Sequence, residues 1–466
     1  INDEKVQLGK KLFFAKNLGG EQSAACVSCH HPVLGGGDDL SLPVGVNAVN
    51  SLEQSSHALL GQGRLNGNDL HNLPIVPRNS PTVFNIGLNG RALFWDGRVE
   101  TGRNGRIMTP DSEINEDGRR TTDNNFPQGT TLAAAQARFP VTSAEEMRGD
   151  FSPNSDNQQL RTDLAERFAN TDANFTSDWP DAFTQAFGSD EVNFNRIAEA
   201  LGEYERSMIF INSPWKNYLD GDNDALTDEE KAGAVLFFAS RRNGGAGCVG
   251  CHRGSTLTSN RYNLVAYPQI GSGKGNDTGR LTSNDFGREN VINDAESRFH
   301  FRAPSLLNIE VTAPYGHTGA YQTLEEVVAH YNNPRQAIDR LFATNADSTL
   351  SNEAPFCQLP QISALIVKNN QSCQDLYPDA YQNSIAVVEH LEQARDGTVE
   401  ARSPLRGRAN LSATQVSRVA SFMRALTDPC VKDSACLSPW IIDENDRASF
   451  PDDQPLIGHD QQGADL

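Results

Sequence analysis

At 466 residues the chain is too long for one hydrophobic core, and two domains with insertions are the natural expectation. Asp and Glu number 60 against 40 Lys and Arg, and the resulting formal charge of −20 repels nucleic acid and anionic lipid and suits either a basic patch on a partner or simply a saline habitat. Mean hydropathy is −0.52, and no run approaches the roughly 18 apolar residues of a membrane-spanning helix, so no membrane span is expected.

Taken in order, the chain opens at Ile1 with no initiator Met, basic n-region or apolar h-region. The expectation is an exported protein, periplasmic or secreted, whose signal has been removed. Leu8-Gly-Lys-Lys-Leu-Phe-Phe14 reads as a short amphipathic helix, followed by a Gly-rich loop and the run Cys26-Val-Ser-Cys-His30. Residues 99–130 are polar, rich in Gly, Arg, Asp and Asn, and read as a long surface insertion. The turn-rich stretch from Ser213 to Asp222 marks a boundary between residues 1–212 and 213–466, and Thr227-Asp-Glu-Glu230 is an N-cap signal for the next helix. Gly233-Ala-Val-Leu-Phe-Phe238 then precedes Cys248-Val-Gly-Cys-His252 at nearly the spacing seen in the first half, so the chain contains an imperfect internal repeat of one helical module. Leu411 to Leu426 has helical apolar spacing, and the acidic tail from Asp443 is expected to be loosely held. The other four cysteines suggest disulfides Cys357–Cys373 and Cys430–Cys436, each closing a short loop, although four cysteines permit three connectivities. Such bridges imply an oxidising compartment.

A C-x-x-C-H run places two thiols for thioether links to haem vinyl groups, with the following His as proximal iron ligand. Two copies imply two covalently bound c-type haems, attached through Cys26 and Cys29 with His30 and through Cys248 and Cys251 with His252. A zinc knuckle would need four converging ligands, and a redox dithiol would not need the His. The expected fold class is mainly α: two cytochrome c-like haem domains related by duplication, with long loops and little β. Of the four methionines, Met108, Met147, Met208 and Met423, none lies in the stretch that would supply a His/Met site to the second haem.

The chain resembles the bacterial dihaem cytochrome c peroxidases and their relative MauG. The resemblance rests on both helix-to-haem units, Arg78-Asn-Ser-Pro-Thr-Val-Phe-Asn85, Phe94-Trp-Asp-Gly-Arg98, Gln136, the run from Phe139 to Met147, and Thr312 to Gly319 with Leu324 to Tyr331. It implies an oxidoreductase using hydrogen peroxide at the first haem, where Gln136 and Glu146 would line the distal pocket and assist O–O cleavage. Without it, both would read as solvated helix residues, and Trp95 as a core aromatic. With it, Trp95 matches a tryptophan between the haems, and Asn79 with the backbone carbonyls of Thr312 and Pro314 matches a calcium site, whose oxygen donors suit that hard cation.

At the second haem the peroxidases supply a ligating Met fourteen residues after the His of the Pro-Tyr-x-His-x-Gly motif, here His317, whereas MauG supplies a Tyr; this chain has Tyr331. On a helix Leu324, Val327, Val328 and Tyr331 share one face, while His330 lies about 100° around. A phenolate would favour oxidised iron and a MauG-like bis-ferryl state. Tyr331 packing inertly, with His330 or His317 as ligand, is the alternative. His71 stands where gated peroxidases place a displaceable distal His, with His57 as a rival and a plain surface histidine as a third reading. The electron donor would be a small cytochrome c or cupredoxin, or the protein would oxidise a partner protein as MauG does. A non-catalytic electron carrier and a dihaem oxygenase are the competing functions, and a homodimer is consistent with the family.

Overall fold

The computed structural model describes every residue except 47, 49–56, 66–72, 103–104, 116–119, 124–125, 128, 171–176, 272–283 and 345–348. It is mainly helical with short strands. The first half contains α1 (Asp3–Phe14), α2 (Leu132–Gln136), α3 (Asn157–Phe168), α4 (Trp179–Phe187) and α5 (Phe194–Ser207). The second contains α6 (Pro214–Leu219), α7 (Asp228–Phe238), α8 (Glu289–Ile292), α9 (Leu324–Asn332), α10 (Pro334–Phe342), α11 (Pro360–Asn369), α12 (Cys373–Leu376), α13 (Ala380–Asp396), α14 (Ala413–Arg424) and α15 (Ser434–Leu437). No helix among the described residues is long and apolar enough to cross a membrane.

The two halves repeat one packing device. Asn2 caps α1 by accepting from the Lys5 amide at 2.9 Å, and Asp3 and Glu4 complement the helix dipole in its first turn. Thr227 and Glu230 form a capping box on α7. Each helix then crosses a later one at a glycine. A Cβ on Gly9 would lie 2.0 Å from the Ala200 carbonyl oxygen of α5, and one on Gly233 would lie 1.9 Å from the Arg418 carbonyl oxygen of α14. In both helices a Phe-Phe pair begins four residues later, and Phe13 and Phe237 are each 1% exposed. The repeat therefore encodes a close helix crossing that only glycine permits at that contact.

Two large apolar cores result. One gathers residues from Leu8 to Phe210 and the other mostly residues from Ala234 to Leu426. The chain end does not stay with the second core. Val431, Leu437, Ile442, Phe450 and Leu456 pack into the first. Strand β7 (Ile457–His459) pairs in parallel with β1 (His57–Leu59), and Leu456 donates its amide to the Phe14 carbonyl at 2.8 Å. The tail expected to be loose is thus pinned by apolar residues spaced among its acids. The polar segment 99–130, read as a surface insertion, contributes to a small sheet. β2 (Ala92–Leu93), β3 (Val99–Thr101) and β4 (Ile107–Met108) form an antiparallel sheet, and Val99 is buried with Leu93, Leu132, Ala135 and Phe139. A last two-stranded sheet joins β5 (Tyr262–Leu264) to β6 (His300–Arg302). Cys357 is bonded to Cys373 and Cys430 to Cys436, the pairing that the short loops suggested.

Candidate active site

Both Cys-x-x-Cys-His runs fold as short 3-10 turns, Cys26–Ser28 and Cys248–Gly250. All four of their cysteines are unpaired. His30 Nδ1 lies 3.2 Å from the Gly36 carbonyl oxygen and His252 Nδ1 lies 3.1 Å from that of Leu257. In each ring the Nδ1–H would donate to a carbonyl, which fixes the tautomer and leaves Nε2 as the free base, as a proximal iron ligand requires. Burial lowers the pKa of both imidazoles, that of His252 to about 4, so they are held neutral. Burial also pushes the Cys26 and Cys248 thiols up to about 12, the opposite of the activated thiolate a redox dithiol needs. Among the described residues no three His, Cys, Asp or Glu side chains converge as a zinc knuckle would require. The donor set fits covalent haem at both turns.

A single cavity of about 340 Å³ reaches both turns and is lined by Trp95, Gln136, Glu146, Asn79, Thr312, Pro314, His317 and Tyr331 as well as the two cysteine pairs and His30 and His252. Gln136 is the last residue of α2 and lines the cavity. Glu146 sits in a single π-helical turn, Ala144–Arg148, capped by Ser143, the kind of local bulge that re-aims side chains at functional sites. Its Oε1 lies 3.7 Å from Arg98 Nη2, and the Arg98 guanidinium stacks 3.4 Å above the Phe94 ring. Arg98 also approaches Asp96 at 3.5 Å, and Arg78 joins Asp96 at 2.5 Å to Asp285 at 2.6 Å. A run of alternating charges thus leads from the carboxylate of the first haem pocket into the second half.

Trp95 is held from both sides. Its indole N–H donates to the Asn79 carbonyl at 2.8 Å, and its own carbonyl accepts from the Arg302 amide at 2.8 Å. Asn79 donates its side-chain amide to Leu40 at 2.8 Å, which leaves Oδ1 as an available acceptor, and its backbone amide bonds to the His317 carbonyl at 2.9 Å.

The rivals for the second haem are sorted by their bonds. His330 is fully buried, with Nδ1 2.8 Å from the Tyr321 hydroxyl and Nε2 2.9 Å from the Val265 carbonyl; both ring nitrogens are engaged, and His330 is not in the cavity lining. His317 does line the cavity, but its ring stacks on Phe301 at 3.7 Å between centroids. Tyr331 lines the cavity with its ring edge-on to that of Tyr267, centroids 5.9 Å apart; burial, then Tyr267 and Cys251, raise its pKa. His57 lies on β1, 42% exposed and 3.4 Å from Glu444, outside the cavity lining. His71 lies outside the described residues.

Among the other lining residues, Arg98, Tyr267, Met423 and Glu205 were given no role from sequence. Met423, in α14 and 5% exposed, is a cavity thioether beyond the second haem run, where the methionine argument had placed none. Glu205 is 5% exposed with Oε2 unbonded, and burial raises its carboxyl to about 8. Its signal was available: it continues the apolar stripe of Ile197, Ala198 and Leu201 on α5.

Residues 3–224 match the family model described as di-haem cytochrome c peroxidase. The cytochrome c551 peroxidase of Pseudomonas aeruginosa is 29% identical over 335 residues, covering 72% of this chain and 73% of that protein. Over residues 3–224 the chain is thus similar to the di-haem cytochrome c peroxidase family. The methylamine utilization protein MauG of Methylorubrum extorquens is 28% identical over 71% of this chain and 69% of its own length. Among solved structures, a MauG-like protein associated with microbial copper homeostasis shares the fold at a TM-score of 0.56 and 20% identity, covering 95% of this chain and 94% of that one. The diheme peroxidase BthA of Burkholderia thailandensis does so at 0.51 and 19%, covering 91% and 86%. The family carries two haems and comprises oxidoreductases acting on peroxide.

Proposed function

We propose that the chain reduces hydrogen peroxide in the first-haem part of the cavity and shares the two oxidising equivalents with the second haem. The observation that carries this reading is the one cavity that holds both attachment turns, with Glu146 close to Cys29, Tyr331 close to Cys248 and Cys251, and Gln136 and Trp95 also in its lining. When bound, the haem ligated by His30 supplies the iron at which the O–O bond is broken. The Gln136 amide orients peroxide. The Glu146 carboxylate takes the proton from one oxygen and returns it to the departing one, as a positioned general base and acid does. Arg98 holds that carboxylate in place. Trp95 carries charge between the centres, and Tyr331 joins His252 as ligand of the second haem, a reading supported by the committed ring nitrogens of His330.

Calcium is held by Asn79 Oδ1 with the carbonyls of Thr312 and Pro314, an oxygen set suited to a hard cation. Residues 1–212 and 213–466 each form one haem module, which the matched crossings at Gly9 and Gly233 support; the segment beyond Val431 crosses back to the first. Two disulfides suit the periplasm. Electrons come from a small cytochrome or cupredoxin, or from a partner protein that is itself oxidised.

The test is an electron paramagnetic resonance spectrum of the oxidised holoprotein before and after one equivalent of peroxide, with Tyr331→Phe as control. Joint loss of a high-spin and a low-spin ferric signal, absent in the variant, supports equivalents shared across Tyr331-ligated haem. Two low-spin haems that react only after one-electron reduction would overturn that sharing, and assign His71 as a gate in a reductively activated peroxidase.

A further inference from the structure

The two attachment turns differ in exposure and in surrounding charge. In the first, Val27 and Ser28 are buried, and the charged groups acting on its thiols are Glu205 at Cys26, and Asp38, Arg64 and Glu146 at Cys29. In the second, no residue of the Cys248–Gly250 turn is buried, and Gly250, Arg253, Gly254 and Ser255 are exposed. The charged neighbours of Cys251 are Arg241, Arg253 and Arg261, with no carboxylate among them.

A second strand of chain adds to this ring. Arg241 Nη1 donates to the carbonyls of Arg406 at 2.5 Å and Gly407 at 2.7 Å, and Arg395 Nε donates to that of Leu405 at 2.6 Å. Two arginines thus spend their donors on backbone and tie the 405–407 loop beside the second turn, while Arg406 and Arg408 stand exposed on it. None of Arg241, Arg253, Arg261, Arg395, Arg406 and Arg408 forms an ion pair among the described residues. Elsewhere in the same half Arg298, Arg335, Arg402, Arg418 and Arg424 each do. Glu392 acts on Arg395 and Arg408 but is itself paired with Arg335, so these arginines still repel one another, and that cost is relieved when a surface of opposite charge covers them.

We infer that this arginine collar is the docking surface for a small electron-donor protein whose redox centre is ringed by carboxylates. The inference rests on the peroxidase reading, which requires a donor. It reverses the expectation from net charge: a chain of formal charge −20 repels an acidic protein over most of its surface and attracts it at this collar, so the repulsion orients the encounter. Each docked donor is oxidised by one electron; two such electrons and two protons reduce one peroxide to two waters.

The probe is a small lysine-rich cytochrome c in two forms, native and with its lysines succinylated, so that one redox centre carries either charge. Binding to the oxidised holoprotein is measured calorimetrically without peroxide. The succinylated form is expected to bind at least tenfold tighter at low salt and to weaken as salt approaches about 0.15 M, where the screening length is roughly 8 Å. R406E/R408E should remove that preference, whereas R91E/R340E, the same charge change at exposed arginines outside the collar, should not. If R406E/R408E lowers the thermal midpoint, R406Q/R408Q replaces it and should lose about half the effect on a logarithmic scale. Equal or tighter binding of the native form, or an unchanged preference in the collar variants, overturns the proposal. Peroxide consumption by the same preparation with a small neutral reductant is read separately. Its absence would count against the peroxidase reading, while the binding data still decide the collar.

Discussion

Replacing Arg78 by Met should destabilise the protein more than any surface change, because Arg78 is the single cation between Asp96 and Asp285. The side chains of the three are 6%, 4% and 1% exposed. Asp96 would keep Arg98 at 3.5 Å, but Asp285 would keep only the Gly287 amide at 2.9 Å as a direct donor. Leaving a buried charge without its partner costs about 3–5 kcal/mol. At about 2.1 cal/mol/K per residue, 466 residues unfolding as one unit have an entropy near 1 kcal/mol/K, so the midpoint should fall by about 3–5 °C.

Scanning calorimetry of the holoprotein reads that shift, and its pH dependence tests the cause. In the wild type, burial alone would raise the Asp285 pKa, and Arg78 outweighs it and holds the group below 3.8. A depressed carboxylate contributes stability above its unfolded value and loses it as pH falls through the lower folded value. In the variant, burial acts unopposed and the folded pKa rises, so the penalty is full at pH 7 and shrinks on acidification. The gap between the two proteins should therefore narrow from pH 7 to pH 4, and Asp285→Asn should restore much of the loss in the variant. A gap under about 1 kcal/mol, or one that does not change with pH, would refute the argument.

Gly9→Ala and Gly233→Ala should each destabilise by more than 1 kcal/mol, against the roughly 1 kcal/mol gain usual for Gly→Ala inside a helix, since the added methyl meets a carbonyl oxygen; a rise in either midpoint sinks the close-crossing account. Glu146→Gln should slow the first reaction with peroxide by about 10²–10⁴ at unchanged haem content, followed by stopped-flow absorbance; a loss below tenfold would remove Glu146 from proton transfer. Chelation of calcium should lower the thermal midpoint of the wild type and leave Asn79→Ala, already lower, unmoved; equal responses from both proteins would place the cation elsewhere or nowhere.

What could be read from sequence was what local chemistry forces to be contiguous. Haem attachment needs two thiols and an imidazole within one turn, so both attachment sites were legible without any tertiary knowledge. That Tyr331 faces the cavity was legible from the apolar stripe of α9, yet the same reasoning left His330 too open. A residue 100° off that stripe is still fully buried when a second layer, here Tyr321 and the Val265 carbonyl, covers that side of the helix. The charged run through Arg78 was invisible for another reason. Asp285 is 207 residues away, and nothing in either local sequence marks the pairing. The tail misled because its acids dominate its composition, while three apolar residues, Phe450, Leu456 and Ile457, decide where it goes.

Those long-range contacts converge on one problem, which is keeping two haems at a constant separation when each is attached to a different half of the chain. Trp95 takes its indole acceptor from Asn79 and gives its carbonyl to Arg302; the next residue, Asp96, binds Arg78, which binds Asp285. Rotation of one half against the other would break a backbone bond to Trp95 and expose or unpair three buried charges at once. No single one of these contacts is strong in water, but such a rotation would have to break them together. Buried charges are poor sources of net stability and good sources of specificity in how elements meet. Placing them beside the residue proposed to carry charge between the haems is where such specificity matters most, because transfer depends on a separation that apolar packing alone would leave free to slide.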